Sequence, residues 1–245
     1  MPAGPAPEAG RPPLLIACAL GIERFALRAG GTDGAAGPVT VVRTGMGPQA
    51  AERAVDRALT GTAAAPAVPT AVIATGFCAG LVPGMHPGDL VVADETRDPA
   101  GHTVCAGTAF LADALAELVP CGPRRGPRRT VHIGPLAGSN HVVRGAERAA
   151  LHTTGAIAVD MESAATLRGA VRRGARPVAA VRVVVDAPEH ELVRIGTLRG
   201  GISAFRVLRT VLPAFLDWHR KSLLPGGELD GHASPTDHPG RDVSL

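Results

Sequence analysis

Aromatic residues are almost absent from this sequence, whose 245 residues include five Phe, one Trp and no Tyr. Nucleic-acid surfaces usually combine a basic stripe with aromatic rings on which bases stack. Here the formal net charge is only +3. The arginines are scattered except for one cluster at residues 122–129, which we expect to be a solvated loop. We therefore predict that the protein has no nucleic-acid partner.

Cysteines and long apolar runs are also scarce. The four cysteines lie far apart without a CxxC pair, as expected for free thiols in a reducing cytosol. The nine histidines show no metal-binding spacing, so we predict neither a metal site nor a cofactor. No run approaches the ~20 apolar residues that span a bilayer, and the first residues do not resemble a signal peptide. These absences predict a cytoplasmic protein.

What the sequence does contain is an alternation of short β-branched runs and helical stretches. The nearly continuous valines of 178–186 are typical of a buried strand, and apolar residues at helical spacing predict a helix within 45–61. Residues 202–224 predict one long amphipathic helix that contains Pro213. The alternation predicts an α/β three-layer sandwich with a central mixed β-sheet flanked by helices. The predicted organisation is a disordered extension at 1–12, a single domain at 13–224 and a disordered tail at 225–245.

Several predicted strands end in glycines or acids, which is where ligands bind in α/β sheets. One of them, at 71–76, is predicted to end in a glycine-rich loop. The segment GMGPQA at 45–50 matches a dinucleotide-binding fingerprint, but it follows the second strand, and no acid ends a strand about 20 residues later. We therefore favour a tight turn near a small polar ligand over a nicotinamide site. Asp186 ends the valine-rich strand. It is either a solvated strand end or a desolvated carboxyl that can donate a proton.

The segment AVDMESAATL at 158–167 places two acids where a strand turns into a helix. One interpretation is a helix start, with Asp160 as the cap and Glu162 as a first-turn acid favoured by the helix dipole. The other is a ligand site, because a carboxylate such as Glu162 can accept two hydrogen bonds from the vicinal hydroxyls of a ribose. Met161 would then supply a soft apolar contact to the sugar.

Taken together, these segments resemble the nucleoside phosphorylase and nucleosidase superfamily. The branch that is most similar contains methylthioadenosine/S-adenosylhomocysteine nucleosidase and the phosphorylase-like protein of hopanoid biosynthesis. The resemblance extends over about residues 14–220. It is carried by TGMG at 44–47, TGFCAGLVPGMHPGDLVVADE at 75–95, AVDMESAA at 158–165 and VRVVVD at 181–186, in the family's order.

The resemblance implies two catalytic residues and a sugar site. Asp186 would protonate or polarise N7 of a purine, and Glu23 would activate water. Glu162 would bind the ribose 2′ and 3′ hydroxyls, with Met161 packed on the sugar. Val185 precedes Asp186 where the family usually has a Ser, so a hydroxyl that could orient the acid is missing.

The resemblance also implies a base site and a nucleophile. His141 and Val142 lie where the family holds the base, and Phe77 and Cys78 belong to the glycine-rich segment at the substrate. Phosphorylases tend to have an Arg and a Ser at the positions that look like Ala74 and Phe77, and a carboxylate at position 23 would repel phosphate. We therefore favour hydrolysis over phosphorolysis, although an arginine at position 24 keeps phosphorolysis open.

The segments at 15–23 and 156–167 are most similar to the hopanoid-associated proteins, which implies adenosylhopane as the nucleoside substrate and ribosylhopane plus adenine as products. Methylthioadenosine/S-adenosylhomocysteine nucleosidase and a non-catalytic nucleoside-binding protein remain alternatives. The last predicted helix packs on the sheet, lines an apolar opening for the lipid, or contacts a membrane surface through its Arg/Lys edge and Trp218. The nucleosidase branch commonly forms dimers, so the resemblance implies a homodimer. The candidate lining residues are Phe77, Met85, Phe205, Leu208, Leu212, Phe215, Leu216 and Trp218.

Overall fold

The computed structural model describes residues 11–60, 69–118, 129–186 and 204–223. The strands are β1 (Leu14–Cys18), β2 (Val39–Arg43), β3 (Ala71–Gly80), β4 (Leu90–Asp98), β5 (Gly101–Val104), β6 (Val131–Gly138), β7 (Ala158–Asp160) and β8 (Val178–Asp186). The helices are α1 (Gly21–Arg28), α2 (Pro48–Thr60), α3 (Thr108–Leu118), α4 (Ala146–Thr153), α5 (Ser163–Arg172), α6 (204–210) and α7 (Leu212–Ser222).

The strands form one mixed sheet that curls on itself. Strand β2 is at one edge and pairs in parallel with β1, which pairs in parallel with β3. Strand β3 then pairs with both β7 and β8, and β8 pairs with β4, which continues through β6 back to β7. Strands β3, β8, β4, β6 and β7 therefore close a ring, and β5 extends β4 as a hairpin.

Alternating side chains of the sheet face two helical layers. In β1, Leu14 and Ile16 belong to a core shared with α1, α3, α6 and α7, whereas Leu15 and Ala17 belong to a core shared with α2 and α5. This is the period-2 alternation of a strand that is buried on both faces. The predicted α/β three-layer sandwich with a central mixed sheet is confirmed.

Three elements differ from the sequence-based prediction. The glycine-rich segment after residue 76 was expected to be a loop, but pairing with β7 and β8 continues β3 to Gly80. Strand β5 was not predicted, because its four residues carry no apolar alternation. The prediction of a single last helix was wrong, because the helix is interrupted at Val211. Pro213 lies in the first turn of α7, where a residue without an N–H is tolerated.

Sheet pairing brings distant parts of the chain to one edge. Ala79 of β3 is paired with Val159 of β7 on one side and with Asp186 of β8 on the other. The register between β3 and β8 shifts between Cys78 and Ala79, and such a bulge redirects the side chains beside it. The ends of β3, β7 and β8, together with the turn after β1, frame the candidate site.

Parts of the predicted organisation lie outside the described residues. They include residues 1–10 of the predicted extension, nearly all of the basic cluster at 122–129, and the predicted tail at 225–245. The boundaries of the single domain therefore stay a prediction. None of the helices in the described ranges is long and apolar enough to cross a membrane.

Candidate active site

The residues predicted for catalysis and substrate binding line one cavity of about 250 Å³, although they are spread along the chain from position 23 to position 186. The cavity lies where β3, β7 and β8 meet the first turn of α1. Its predicted lining residues are Glu23, Phe77, Cys78, His141, Val142, Met161, Glu162 and Asp186. Their individual roles stay predictions, but the structure brings all of them together.

Glu23 is held at the start of α1 by backbone N–H groups. Its carboxylate accepts hydrogen bonds from Leu20 N at 2.7 Å and from Phe77 N at 3.0 Å. Only 2% of the residue is exposed. Burial raises the pKa of the Glu23 carboxyl, although Arg182 and the backbone hydrogen bonds oppose the shift. A carboxylate with a raised pKa is a better general base than an ordinary glutamate.

Glu162 is tied to the glycine turn after β2. Its Oε1 accepts a hydrogen bond of 2.8 Å from Gly47 N, so the segment that matched a dinucleotide fingerprint binds a carboxylate of the same chain. Gly47 has φ +89°, a conformation that glycine adopts without steric cost. Burial raises the pKa of Glu162 most, and the nearby Asp160 adds to the effect, whereas Arg182 opposes it.

Asp160 lines the cavity, but its carboxylate is paired within the protein. Its carboxylate accepts a hydrogen bond from Ser163 N at 3.2 Å, which satisfies a free N–H at the start of α5. It also forms an ion pair of 2.6 Å with Arg182, and the side chains of both partners are 1% exposed. Of the two acids in the segment at 158–167, Asp160 is the one held by an ion pair, whereas Glu162 is held by the hydrogen bond from Gly47 N.

Arg182 is a residue that sequence reasoning missed. Besides Asp160, its guanidinium donates to Ser163 Oγ at 2.8 Å and to the Thr75 carbonyl at 3.0 Å. The available signal was a single arginine within a buried valine-rich strand, because a buried charge requires partners. Arg182 fixes the region behind Glu23, Glu162 and Asp160 without lining the cavity.

Arg148 was also missed, and it contacts the predicted acid directly. Its Nη1 donates to Asp186 Oδ2 at 3.1 Å, and its Nη2 donates to the Gly80 carbonyl at 3.0 Å. The Asp186 Oδ1 atom is buried and has no hydrogen-bond partner among the described residues. Nothing in the sequence of α4 distinguishes Arg148 from a surface arginine, although it is only 6% exposed.

The remaining lining residues form the floor and the rim of the cavity. Cys78 is buried in β3, and burial raises the pKa of its thiol, so it contributes an uncharged surface. His141 lies at the rim, where its Nε2 is 2.9 Å from Glu147 Oε2 and its Nδ1 is 2.7 Å from Asn140 Oδ1. Val142 is 65% exposed at the same rim.

Of the interpretations offered for the last predicted helix, the structure supports packing on the sheet, and none of its described residues lines the cavity. Trp218 is fully buried, and its Nε1 donates to the Ala106 carbonyl at 2.7 Å, so it cannot contact a membrane surface. Met85 is also buried and packs against Gly80. Phe205 is partly buried and stacks on Phe25, with ring centroids 6.4 Å apart. The other predicted lining residues of this segment are core residues: Leu208, Leu212, Phe215 and Leu216.

Arg24 faces away from the cavity. It lines a separate groove of about 760 Å³ on the other side of α1, together with Arg28 and Arg43. The cavity itself is lined by Glu23, Asp160, Glu162 and Asp186, and no Arg or Lys is among its described lining residues. Within the described ranges, no group of three or more His, Cys, Asp or Glu residues could hold a metal ion.

Solved structures of several nucleosidases have a similar fold. A 5′-methylthioadenosine/S-adenosylhomocysteine nucleosidase from Colwellia psychrerythraea 34H, in complex with adenine, has a TM-score of 0.65 at 18% identity, covering 85% of this chain and 96% of its own. An S-adenosylhomocysteine nucleosidase from Streptococcus pyogenes, in complex with 5-methylthiotubericidin, has a TM-score of 0.66 at 17% identity, covering 89% and 100%. The futalosine hydrolase of Helicobacter pylori strain 26695 has a TM-score of 0.65 at 13% identity, covering 86% and 98%.

Sequence comparison gives the family. No match was found among curated proteins. However, the sequence model of the phosphorylase superfamily matches residues 26–212, which is more than half of the chain and includes the strands that frame the cavity. The chain therefore belongs to the phosphorylase superfamily.

Proposed function

We propose that the protein hydrolyses the N-glycosidic bond of an adenosine-type nucleoside and releases adenine. The observation that carries this proposal is the cavity itself, in which Glu23, Glu162 and Asp186 converge from three distant parts of the chain. A protein that only bound nucleosides would need a diol acceptor such as Glu162, but it would not need two further carboxyls in the cavity, the buried Glu23 and the partly buried Asp186.

In the proposed reaction, one carboxyl acts on the purine and the other two act on the ribose and the attacking water. Asp186 protonates N7 of the purine, so the electron pair of the breaking C1′–N9 bond moves into a neutral leaving group. Glu162 holds the ribose hydroxyls. Glu23 takes a proton from water as the water oxygen bonds to C1′, which is the two-carboxylate logic of glycoside hydrolysis. The raised pKa of Glu23 suits this role, because a general base works best when its pKa approaches the operating pH.

The charge of the cavity favours water over phosphate as the nucleophile. Its lining contains four carboxylates, which would repel an anion. The arginine that kept phosphorolysis open, Arg24, lines the groove on the far side of α1. The buried guanidinium of Arg182 is engaged with Asp160, Ser163 and the Thr75 carbonyl.

We propose adenosylhopane as the substrate, which is converted to ribosylhopane and adenine. Beside His141, the rim of the cavity carries two exposed apolar side chains: Met46 is 71% exposed and Val142 is 65% exposed. Ile22 and Phe25, on the exposed face of the adjoining helix α1, are 55% and 68% exposed. An apolar rim favours a nucleoside with an apolar 5′ substituent. Methylthioadenosine and S-adenosylhomocysteine are the second candidates, because similar folds have been solved with adenine and with 5-methylthiotubericidin.

The same rim is the surface that would contact a membrane presenting a lipid substrate. The proposed peripheral membrane contact is therefore assigned to this rim and not to the last helix, because Trp218 of that helix is buried. A homodimer and a cytoplasmic location stay predictions.

The test is to incubate the protein with methylthioadenosine, S-adenosylhomocysteine, inosine and adenosylhopane, with and without phosphate, and to measure free base. We expect adenine release without phosphate, fastest from adenosylhopane. Asp186→Asn should lose about 10²–10⁴-fold in turnover while still binding nucleoside, because it removes the general acid. Asp113→Asn, an exposed acid of α3, is the matched control and should keep wild-type turnover.

Each alternative gives a different result in this assay. Base release that requires phosphate would replace hydrolysis by phosphorolysis. Release from methylthioadenosine but not from adenosylhopane would reject the lipid substrate. No base from any nucleoside, together with measurable nucleoside binding, would favour a binding protein.

A further inference from the structure

The carboxyl group of Asp186 is held asymmetrically. Its Oδ2 accepts a hydrogen bond of 3.1 Å from Arg148 Nη1, whereas its Oδ1 is buried and has no partner among the described residues. Arg148 is itself fixed by donating from Nη2 to the Gly80 carbonyl at 3.0 Å. Two parallel donors therefore anchor the guanidinium to the end of β3 and to the end of β8. Asp186 lines the cavity, and Arg148 is not among the cavity residues.

Because arginine can only donate hydrogen bonds, the contact with Arg148 decides which oxygen of Asp186 can carry a proton. A guanidinium has only N–H donors and no lone pair that can accept a proton. When Asp186 is protonated, its O–H therefore cannot lie on the oxygen that faces Arg148 without placing two donors against each other. The proton is directed to Oδ1, which lacks a protein partner among the described residues.

We propose that Arg148 is a positioning residue that directs the acid proton of Asp186 to Oδ1 and so toward the purine. This inference rests on the proposed function. In the step itself, the O–H bond at Oδ1 breaks, N7 gains the proton, and the electron pair of the C1′–N9 bond moves into the purine. Asp186 is left as a carboxylate whose Oδ2 already accepts a charge-assisted hydrogen bond, so Arg148 also stabilises the product form of the acid.

The group that contacts Asp186 comes from another element of the fold rather than from the residue before it. Val185, the residue before it, is apolar, so it offers no hydroxyl to the carboxyl group. Arg148 reaches the acid from α4, a helix separated from β8 along the chain by β7 and α5. A buried arginine that served only as an ion-pair partner would stabilise the fold but would not distinguish one leaving group from another. That difference defines the test.

The test compares two leaving groups in Arg148→Met and Arg148→Lys. The nucleoside that the wild-type protein cleaves fastest requires protonation of its base, whereas 4-nitrophenyl riboside releases a stable anion without a general acid. For Arg148→Met we expect kcat on the nucleoside to fall about 10- to 100-fold, part of the effect of a general acid, with a smaller change in KM. Turnover of 4-nitrophenyl riboside should change less than threefold. Arg148→Lys keeps a donor and should recover part of the nucleoside rate.

A second measurement uses Asp186→Asn as background. If Arg148 acts through Asp186, Arg148→Met should add no further loss of nucleoside turnover in that background, which is the signature of two coupled residues. Arg144→Met removes an exposed arginine two residues before α4 and is the matched control. Melting temperatures of all variants identify any that fail to fold, in which case Arg148→Lys carries the comparison.

The outcomes separate the two proposals. A wild-type protein that releases no base defeats the proposed function. An active wild-type protein whose Arg148→Met variant loses both substrates equally, or neither, overturns the positioning role and leaves the proposed function intact. Full additivity of the two substitutions would overturn it as well.

Discussion

Two buried glutamates line the cavity, and burial raises the pKa of both. Backbone hydrogen bonds oppose part of this effect of burial: Glu23 accepts from Leu20 N and Phe77 N, and Glu162 accepts from Gly47 N. A carboxyl whose pKa is higher in the folded state than in the unfolded state stabilises the fold below the unfolded value. This stability is lost as pH rises through the folded pKa. These two carboxyl groups therefore make the fold less stable at neutral pH than it is in acid.

This effect is testable at Glu162 because glutamine can keep the hydrogen bond from Gly47 N. Glu162→Gln should have nearly the stability of wild type below pH 4.5, the ordinary pKa of the group, and should become relatively more stable as pH rises above it. Melting temperatures at pH 4 and pH 7.5 measure the difference. A relative stability that falls with increasing pH would contradict the burial argument.

The same variant tests the proposed diol contact. Losing charge-assisted hydrogen bonds of about 1.5–3 kcal/mol should weaken nucleoside binding roughly 10- to 100-fold. The loss should be much smaller for a 2′-deoxynucleoside, which cannot donate both hydrogen bonds. Calorimetric titration of both ligands measures it, with exposed Glu117→Gln in α3 as the control. Equal losses for the two ligands would remove Glu162 from the sugar site.

At the scale of elements, β3 is shaped by one glycine. Gly76 has φ +135°, and a Cβ at this position would lie 2.5 Å from Glu23 Oε1 and 2.7 Å from Arg182 Nη1. The strand can therefore pass between the catalytic candidate and the buried arginine only where it has no side chain. The glycine-rich segment that was expected to be a loop is a strand whose glycines permit this close approach.

Gly76→Ala should both strain the backbone and displace Glu23. We expect a loss of about 1–3 kcal/mol in the free energy of unfolding from the conformation alone, and a larger total loss from the contacts. Hydrolysis should fall in parallel because Glu23 moves. Gly101→Ala is the matched control: Gly101 has φ +138° with no atom within 4 Å of the added Cβ, so it carries the strain without the contacts.

Chemical denaturation and turnover of both variants separate the two contributions. Equal destabilisation of Gly76→Ala and Gly101→Ala would mean that Glu23 and Arg182 accommodate the methyl group. Unchanged hydrolysis by Gly76→Ala would argue that the position of Glu23 does not matter for the reaction.

At the scale of the whole molecule, α7 is packed into the core near the start of the sheet. His219 of α7 is fully buried, and burial lowers the pKa of its ring, although a contact with the Pro13 carbonyl opposes this in part. The folded protein therefore binds a proton at this site less readily than the unfolded chain. The stability due to the neutral ring is present above pH 6.5, the ordinary value of the group, and is lost as pH falls through the folded pKa.

His219→Leu replaces the ring with an apolar side chain that does not titrate. We expect its melting temperature to fall less than that of wild type between pH 7.5 and pH 5. His102→Leu, at an exposed position on β5, should follow the wild-type pH dependence. Identical pH dependence of His219→Leu and wild type would show that the buried ring does not control acid stability.

The fold could largely be predicted from the sequence because its signals are local. The valine-rich β8, the helical spacing in α2 and the turns at Gly47 and Asp160 depend on neighbouring residues. The break between α6 and α7 was missed even though Pro213 was noticed. The helical spacing runs through both helices, and only the packed structure shows where the chain is interrupted.

The residues of the candidate site likewise differ in whether their signals are local in the sequence. The acidic residues were found because each stands at the end of a strand or at a turn, where their local sequence is unusual. Arg182 and Arg148 were not found, because their partners lie far away in the chain, at Asp160 and Asp186. The lining role assigned to Trp218 failed for a related reason: an amphipathic pattern shows that one face is buried but not what buries it.

The sequence by itself thus determined the layers, most of the elements and the carboxylates that line the cavity, since periodicity and turn chemistry act over a few residues. Only the tertiary structure decided which charges are paired, which apolar side chains are core and which oxygen of Asp186 remains available. Those outcomes depend on side chains that are distant in sequence and are fixed when the strands close their ring.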